Sequence, residues 1–107
     1  MDTCSQLTFF VVENQRHGGQ LTYQWLLREA ASLGLSGGSA FRAVAGYGRH
    51  HLLHEARFYE LAGELPMEVI FVVAPGDAQR LIEHVAASGL SLRYYVLPAQ
   101  SGTTGEV

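Results

Sequence analysis

The side chains best suited to chemistry lie near the middle of the chain, in Ala45-Gly46-Tyr47-Gly48-Arg49-His50-His51-Leu52-Leu53-His54. Gly46 and Gly48 allow the backbone to approach a ligand closely and leave peptide N–H groups to point at an anion. Arg49 adds a planar five-donor fork matched to phosphate or carboxylate. The same residues also read as a turn that ends a strand and carries a solvated arginine. Tyr47 either stacks on a base or pins the loop to the core. His50, His51 and His54 raise a metal reading, because positions 50 and 54 share a face if the segment is helical. A metal site normally takes three or four ligands, and Glu55 is the one nearby carboxylate with suitable reach, so solvated loop histidines are the competing reading.

Elsewhere the reactive residue types are scattered. Glu64, Glu68 and Asp77 have no partner placed for acid–base work. Cys4 and Ser5 are expected in a frayed terminus, without a base and an orienting group to activate them. No enzyme activity is expected. His17 is read as a capping or cleft residue, and Trp25 as packing or interface.

The chain has 107 residues, 48% hydrophobic and 16% charged, with a formal net charge of -3. That is one domain with enough apolar material for a packed core. The acidic balance argues against nucleic acid as a partner, which needs a basic face. The low charged fraction hints that part of the surface is buried against copies of the chain. One cysteine excludes an internal disulfide and fits a reducing cytoplasm. The opening Met1-Asp2-Thr3-Cys4-Ser5 lacks the basic region and apolar run of a secretory signal, so none is expected. The longest apolar runs are strand-length, far short of the roughly 20 residues of a membrane span. A cytoplasmic protein follows, peripheral to a membrane only through a partner.

Four strands and two helices must position the central loop. Leu7-Thr8-Phe9-Phe10-Val11-Val12 is β-branched and aromatic and predicts a strand, followed by a polar loop ending at Gly18-Gly19. Helical spacing of Tyr23, Leu26, Leu27, Ala30 and Leu33 predicts a helix over residues 20–33, capped by Gly34. A second strand is expected over 39–45, the loop over 46–58, and a third strand over 67–73 with Pro66 at its entry. Pro75 starts a second helix that Gly89 ends, and a fourth strand over 92–97 stops at Pro98. The domain covers 1–107, with a core of about 6–98 and a flexible tail at 99–107. The halves echo each other: each helix is followed by Gly-Leu-Ser, at Gly34-Leu35-Ser36 and Gly89-Leu90-Ser91. The order β-α-β-β-α-β predicts an α+β, ferredoxin-like sandwich. Its two helices cover one sheet face and leave the other apolar and uncovered, which points to association.

Arg16-His17-Gly18, Gly34-Leu35-Ser36-Gly37-Gly38-Ser39-Ala40, Gly46-Tyr47-Gly48, His54 and Leu65-Pro66 together resemble the PII-like signalling proteins, in a subgroup with a short central loop. The resemblance spans roughly residues 7–98. It implies a homotrimer with ligand sites between subunits and a loop after the second strand that contacts a partner. It implies nucleotide phosphates near Gly46, Tyr47, Gly48 and Arg49. Gly38, Ser39 and Ala40, with the backbone at Phe71 and Val72, would flank the base from a neighbouring chain. Ala87-Ser88-Gly89-Leu90-Ser91 replaces the glycine- and lysine-rich phosphate loop of that family. His50 stands where its magnesium-holding glutamine aligns, and no arginine pair follows Pro98. Arg93 could supply one lost positive charge. AMP or ADP is therefore the expected effector ahead of magnesium-ATP, with an anion such as bicarbonate as co-effector. A membrane transporter or channel is the partner implied. The alternative is a metal-responsive ferredoxin-like trimer using His50, His51 and His54.

Overall fold

The computed structural model describes residues 1–47, 54–55 and 65–105. Strand β1 (Asp2–Val12) leads through a short hairpin, β2 (Arg16–His17) and β3 (Gln20–Leu21), into helix α1 (Thr22–Ser32). Then come β4 (Gly38–Arg42), β5 (Ala45–Gly46), β6 (His54–Glu55), β7 (Pro66–Val73), α2 (Pro75–Ala87) and β8 (Tyr94–Ser101). The main sheet has the order β4-β7-β1-β8 and every pairing is antiparallel. With β1 and β7 at its centre and one helix between the strands of each half, this is the ferredoxin-like arrangement expected from the β-α-β-β-α-β order.

Alternation along the strands sorts the core. Leu7, Phe9 and Val11 of β1, with Met67, Val69, Phe71 and Val73 of β7, point to the helices and are buried. Trp25, Leu26 and Ala30 of α1 and Ala78, Leu81 and Val85 of α2 meet them at helical spacing. Pro75 opens α2, with Asp77 in the first turn, where a carboxylate complements the helix dipole. Gly34 and Gly89 follow the two helices at φ of 82° and 83°. At the end of α1, Gly34 N–H donates to the Ala31 carbonyl and Leu35 N–H to Ala30, which satisfies carbonyls the helix leaves open. His84 Nε2 lies 2.8 Å from Glu29 Oε1 and ties α2 to α1, beside Trp25.

Four expectations change in detail. The N-terminus is not frayed: β1 starts at Asp2, and Cys4 and Ser5 are buried. The polar segment before α1 is a hairpin, and His17 packs edge-on against Trp25 at 4.6 Å between centroids and does not cap α1. The second strand is shorter and interrupted, giving way at Ala43-Val44 before β5 pairs with β6. Pro98 does not stop the last strand. β8 runs to Ser101, because proline is tolerated on an edge strand and the opposite edge needs no donor there. Ala99, Gln100 and Ser101 pair with Cys4, Thr3 and Asp2, so the first part of the expected tail belongs to the sheet. Among the described residues, no helix is long and apolar enough to cross a membrane.

Removing residues 99–107 deletes three cross-strand pairs and uncovers Cys4. The truncated chain should lose about 1–3 kcal/mol of stability, from about 1 kcal/mol net per hydrogen bond. Chemical denaturation checks this, and an unchanged midpoint contradicts the pairing.

Candidate functional site

The site forms where β4 begins. An aromatic ring occupies the space a side chain would take at Gly38: a Cβ there would stand 2.4 Å from Phe71 Cε1 and 3.2 Å from Leu27 Cδ2. Only glycine lets the β4 backbone come this close, and the contact fixes Gly38 opposite Phe71 as the last pair of the ladder. β7 continues past that pair. Alternation along β7 aims the Val72 N–H and C=O toward the β4 side, the same side to which Pro66 presents its carbonyl for Ala43 N–H. The Ser36 hydroxyl donates to the Val72 carbonyl at 3.4 Å.

A groove of about 580 Å³ lies over this strand edge. Gly37, Gly38 and Ser39 line one side, and Phe41, Ile70 and Val72 give it apolar walls. Phe41 and Val72 are exposed. A flat heteroaromatic ring fits such a place: apolar contact on its faces and a backbone donor and acceptor for its edge. On the other side of β4, a smaller cleft of about 220 Å³ sits between Gly38 and α1, floored by Phe71.

The structure brings together three of the expected site residues, Gly38, Ser39 and Val72, in the groove. Phe71 lies beneath it with its ring buried toward the helices. Ala40 pairs with Val69 and packs against the core, away from the groove. Gly46 lies in β5, opposite His54, and the exposed Tyr47 follows it. Arg93 immediately precedes β8, on the edge of the sheet opposite β4, and its carbonyl accepts a hydrogen bond from Phe10 N–H. Gly48, Arg49, His50 and His51 lie outside the described residues. His54 belongs to a strand pairing, not to a helical turn. Among the described residues, no group of three or more His, Cys, Asp or Glu side chains could hold a metal. Phe41 and Ile70 were absent from the expected site. The two-residue alternation that puts Ser39 and Val72 on one face was the signal that could have included them.

A family model described as DUF190, Uncharacterized ACR, matches residues 4–90. The chain belongs to the DUF190 family. A UPF0166 protein of Aquifex aeolicus (strain VF5) is 30% identical over 79 residues, covering 74% of this chain and 75% of that protein. Among solved structures, this DUF190 member is similar to CPII from Thiomonas intermedia K12 bound to ADP and bicarbonate. The TM-score is 0.63 at 18% identity, over 95% of this chain and 91% of that one. It is also similar to a putative PII-like signaling protein from Thermus thermophilus, with a TM-score of 0.65 at 17% identity over 91% and 87% of the two chains. The fold is therefore PII-like, as the resemblance implied.

Gly38→Ala should push the buried Phe71 ring aside and cost about 1–3 kcal/mol, the usual range for overpacking. Ser39→Ala, at an exposed position, should stay within about 0.5 kcal/mol of wild type. Urea unfolding of both variants checks the contrast, and equal midpoints would contradict the close approach.

Proposed function

We propose that this DUF190 member is a PII-like signalling protein that binds an adenine nucleotide, AMP or ADP, between copies of the chain, and is a regulator, not an enzyme. The observation that carries the reading is the groove over Gly38, Ser39 and Val72, where apolar walls flank a strand edge that continues past its last partner. An adenine edge offers the donor and acceptor that such a backbone matches.

Among the described residues that line the groove there is no guanidinium or ammonium, so the phosphates need cations from beyond them. Arg49, three residues beyond Gly46, supplies one. Arg93 supplies the other, and because it stands on the edge opposite β4, a neighbouring copy must contribute it. A site divided between two edges of one sheet is complete only in an assembly, and a homotrimer meets that need. The nucleotide-bound CPII supports the ligand class, and its bicarbonate supports an anion as co-effector. Occupancy shifts the protein between states that a partner distinguishes. A membrane transporter or channel is the partner class we favour, with the protein cytoplasmic and reaching the membrane only through it.

Calorimetry with AMP, ADP, ATP and bicarbonate tests this. Wild type should bind AMP or ADP more tightly than magnesium-ATP. Arg49→Ala should weaken AMP binding by about tenfold to a hundredfold, as expected for losing about 1.5–3 kcal/mol of charge-assisted hydrogen bonding. Absence of heat with every nucleotide overturns the reading.

A further inference from the structure

The sheet face turned away from the helices carries Phe10 and Val12 of β1, Phe41 of β4, Val72 of β7 and Leu97 of β8, all exposed. Charge on this face is sparse. Apart from Asp2 at the far end of β1, its described residues hold one carboxylate, Glu68, and one guanidinium, Arg93. The two share a single row across the sheet. Phe41 lies opposite Glu68, Glu68 opposite Phe10, and Phe10 N–H bonds the Arg93 carbonyl. Phe10 thus stands between them, with roughly two strand spacings, about 10 Å, from the β7 backbone to the β8 backbone. Neither side chain makes a hydrogen bond or ion pair with any described residue. Among the described residues, the other nearby guanidinium is already committed, since Arg42 points to the helix side and pairs with Glu13.

We infer that Glu68 of one copy pairs with Arg93 of the next, and that this ion pair sets the register in which the open faces associate; the inference rests on the reading that the protein works as an assembly. Covering the face with a second copy takes the half-buried Glu68 carboxylate further out of water, between two phenylalanines, and an unpaired carboxylate there opposes association. Among the described residues, the one complementary group the face offers is Arg93. Geometry brings the two together in a ring: rotation about an axis lying along the strands keeps every residue at its own height. The β7 side of one copy then meets the β8 side of the next at the same row. The guanidinium has five donors, so a carboxylate holding one flank leaves the other to face an anion in the neighbouring groove. Glu68 is in that sense a positioning residue for Arg93.

The test is a charge swap read by analytical ultracentrifugation, with circular dichroism melts to confirm folding and AMP calorimetry on the same samples. Wild type should be oligomeric. Glu68→Arg and Arg93→Glu should each raise the assembly dissociation constant at least about tenfold, and the double swap should restore it to within about threefold. An oligomeric wild type whose single variants assemble unchanged, or whose double swap is not rescued, overturns the ion pair while leaving the assembly and nucleotide readings in place. A monomeric wild type overturns the assembly itself. If a reversed variant does not fold, Glu68→Gln, Arg93→Gln and their combination replace it. Additive effects of those two on assembly overturn the pair, and non-additive effects support it.

Discussion

The ring of Phe71 fills the space beside Gly38, and much of the fold's usable surface follows from that contact. Because the two strands meet without a side chain between them, β4 can lie flat against β7 while Phe71 keeps its place in the core with Phe9. The ladder ends there, with β7 still extending. A backbone edge is thus left on a central strand, not on a loop, and the groove lies over it. The backbone supplies the polar groups at this edge and neighbouring apolar side chains supply the shape.

The sheet divides the chain into two chemistries. Residues facing the helices make a closed apolar core, with Leu7, Phe9, Leu26, Val69, Phe71 and Leu81 almost fully buried. Residues facing the other way mix the exposed Phe10, Val12, Phe41, Val72 and Leu97 with Gln6, Thr8, Ser39 and Glu68, and among the described residues no helix covers them. Thr8 shows how crowded that second face already is: it is completely buried between Ile70 and Tyr95, and its hydroxyl has no partner among the described residues. Exposed apolar side chains grouped on one face are what the proposed association would cover. The same face carries the groove walls Phe41, Ile70 and Val72, so the proposed association and the proposed ligand binding would draw on one surface.

Sequence pattern was a good guide wherever packing is periodic. The strand through Leu7 to Val12, both helices with their Gly34 and Gly89 stops, and the ferredoxin-like order could all be read from alternation, helical spacing and caps. It misled where tertiary pairing overrides local character. Pro98 looks like a terminator in isolation, yet on an edge strand its missing N–H costs nothing. Arg16 and His17 look like loop residues, yet the Gly18-Gly19 turn and the face of Trp25 make them half of a hairpin. Gly38, Ser39 and Val72, which the resemblance implied for the site, lie together along one groove. Phe41 and Ile70 were missed, although the alternation that puts Ser39 and Val72 on one face includes them as well. The separation of Arg93 from the groove could not be read either, since it depends on strand order across the sheet.

The central claim is that the strand edge at Val72 recognises the ligand. The direct measurement is the backbone amide spectrum of isotope-labelled protein titrated with AMP. The account predicts saturable shifts of the Val72 and Ser39 amides, larger than those of the core strand residues Leu7 and Phe9. Saturable AMP binding that leaves Val72 and Ser39 unmoved, with shifts confined to the surface between α2 and β8, would contradict it.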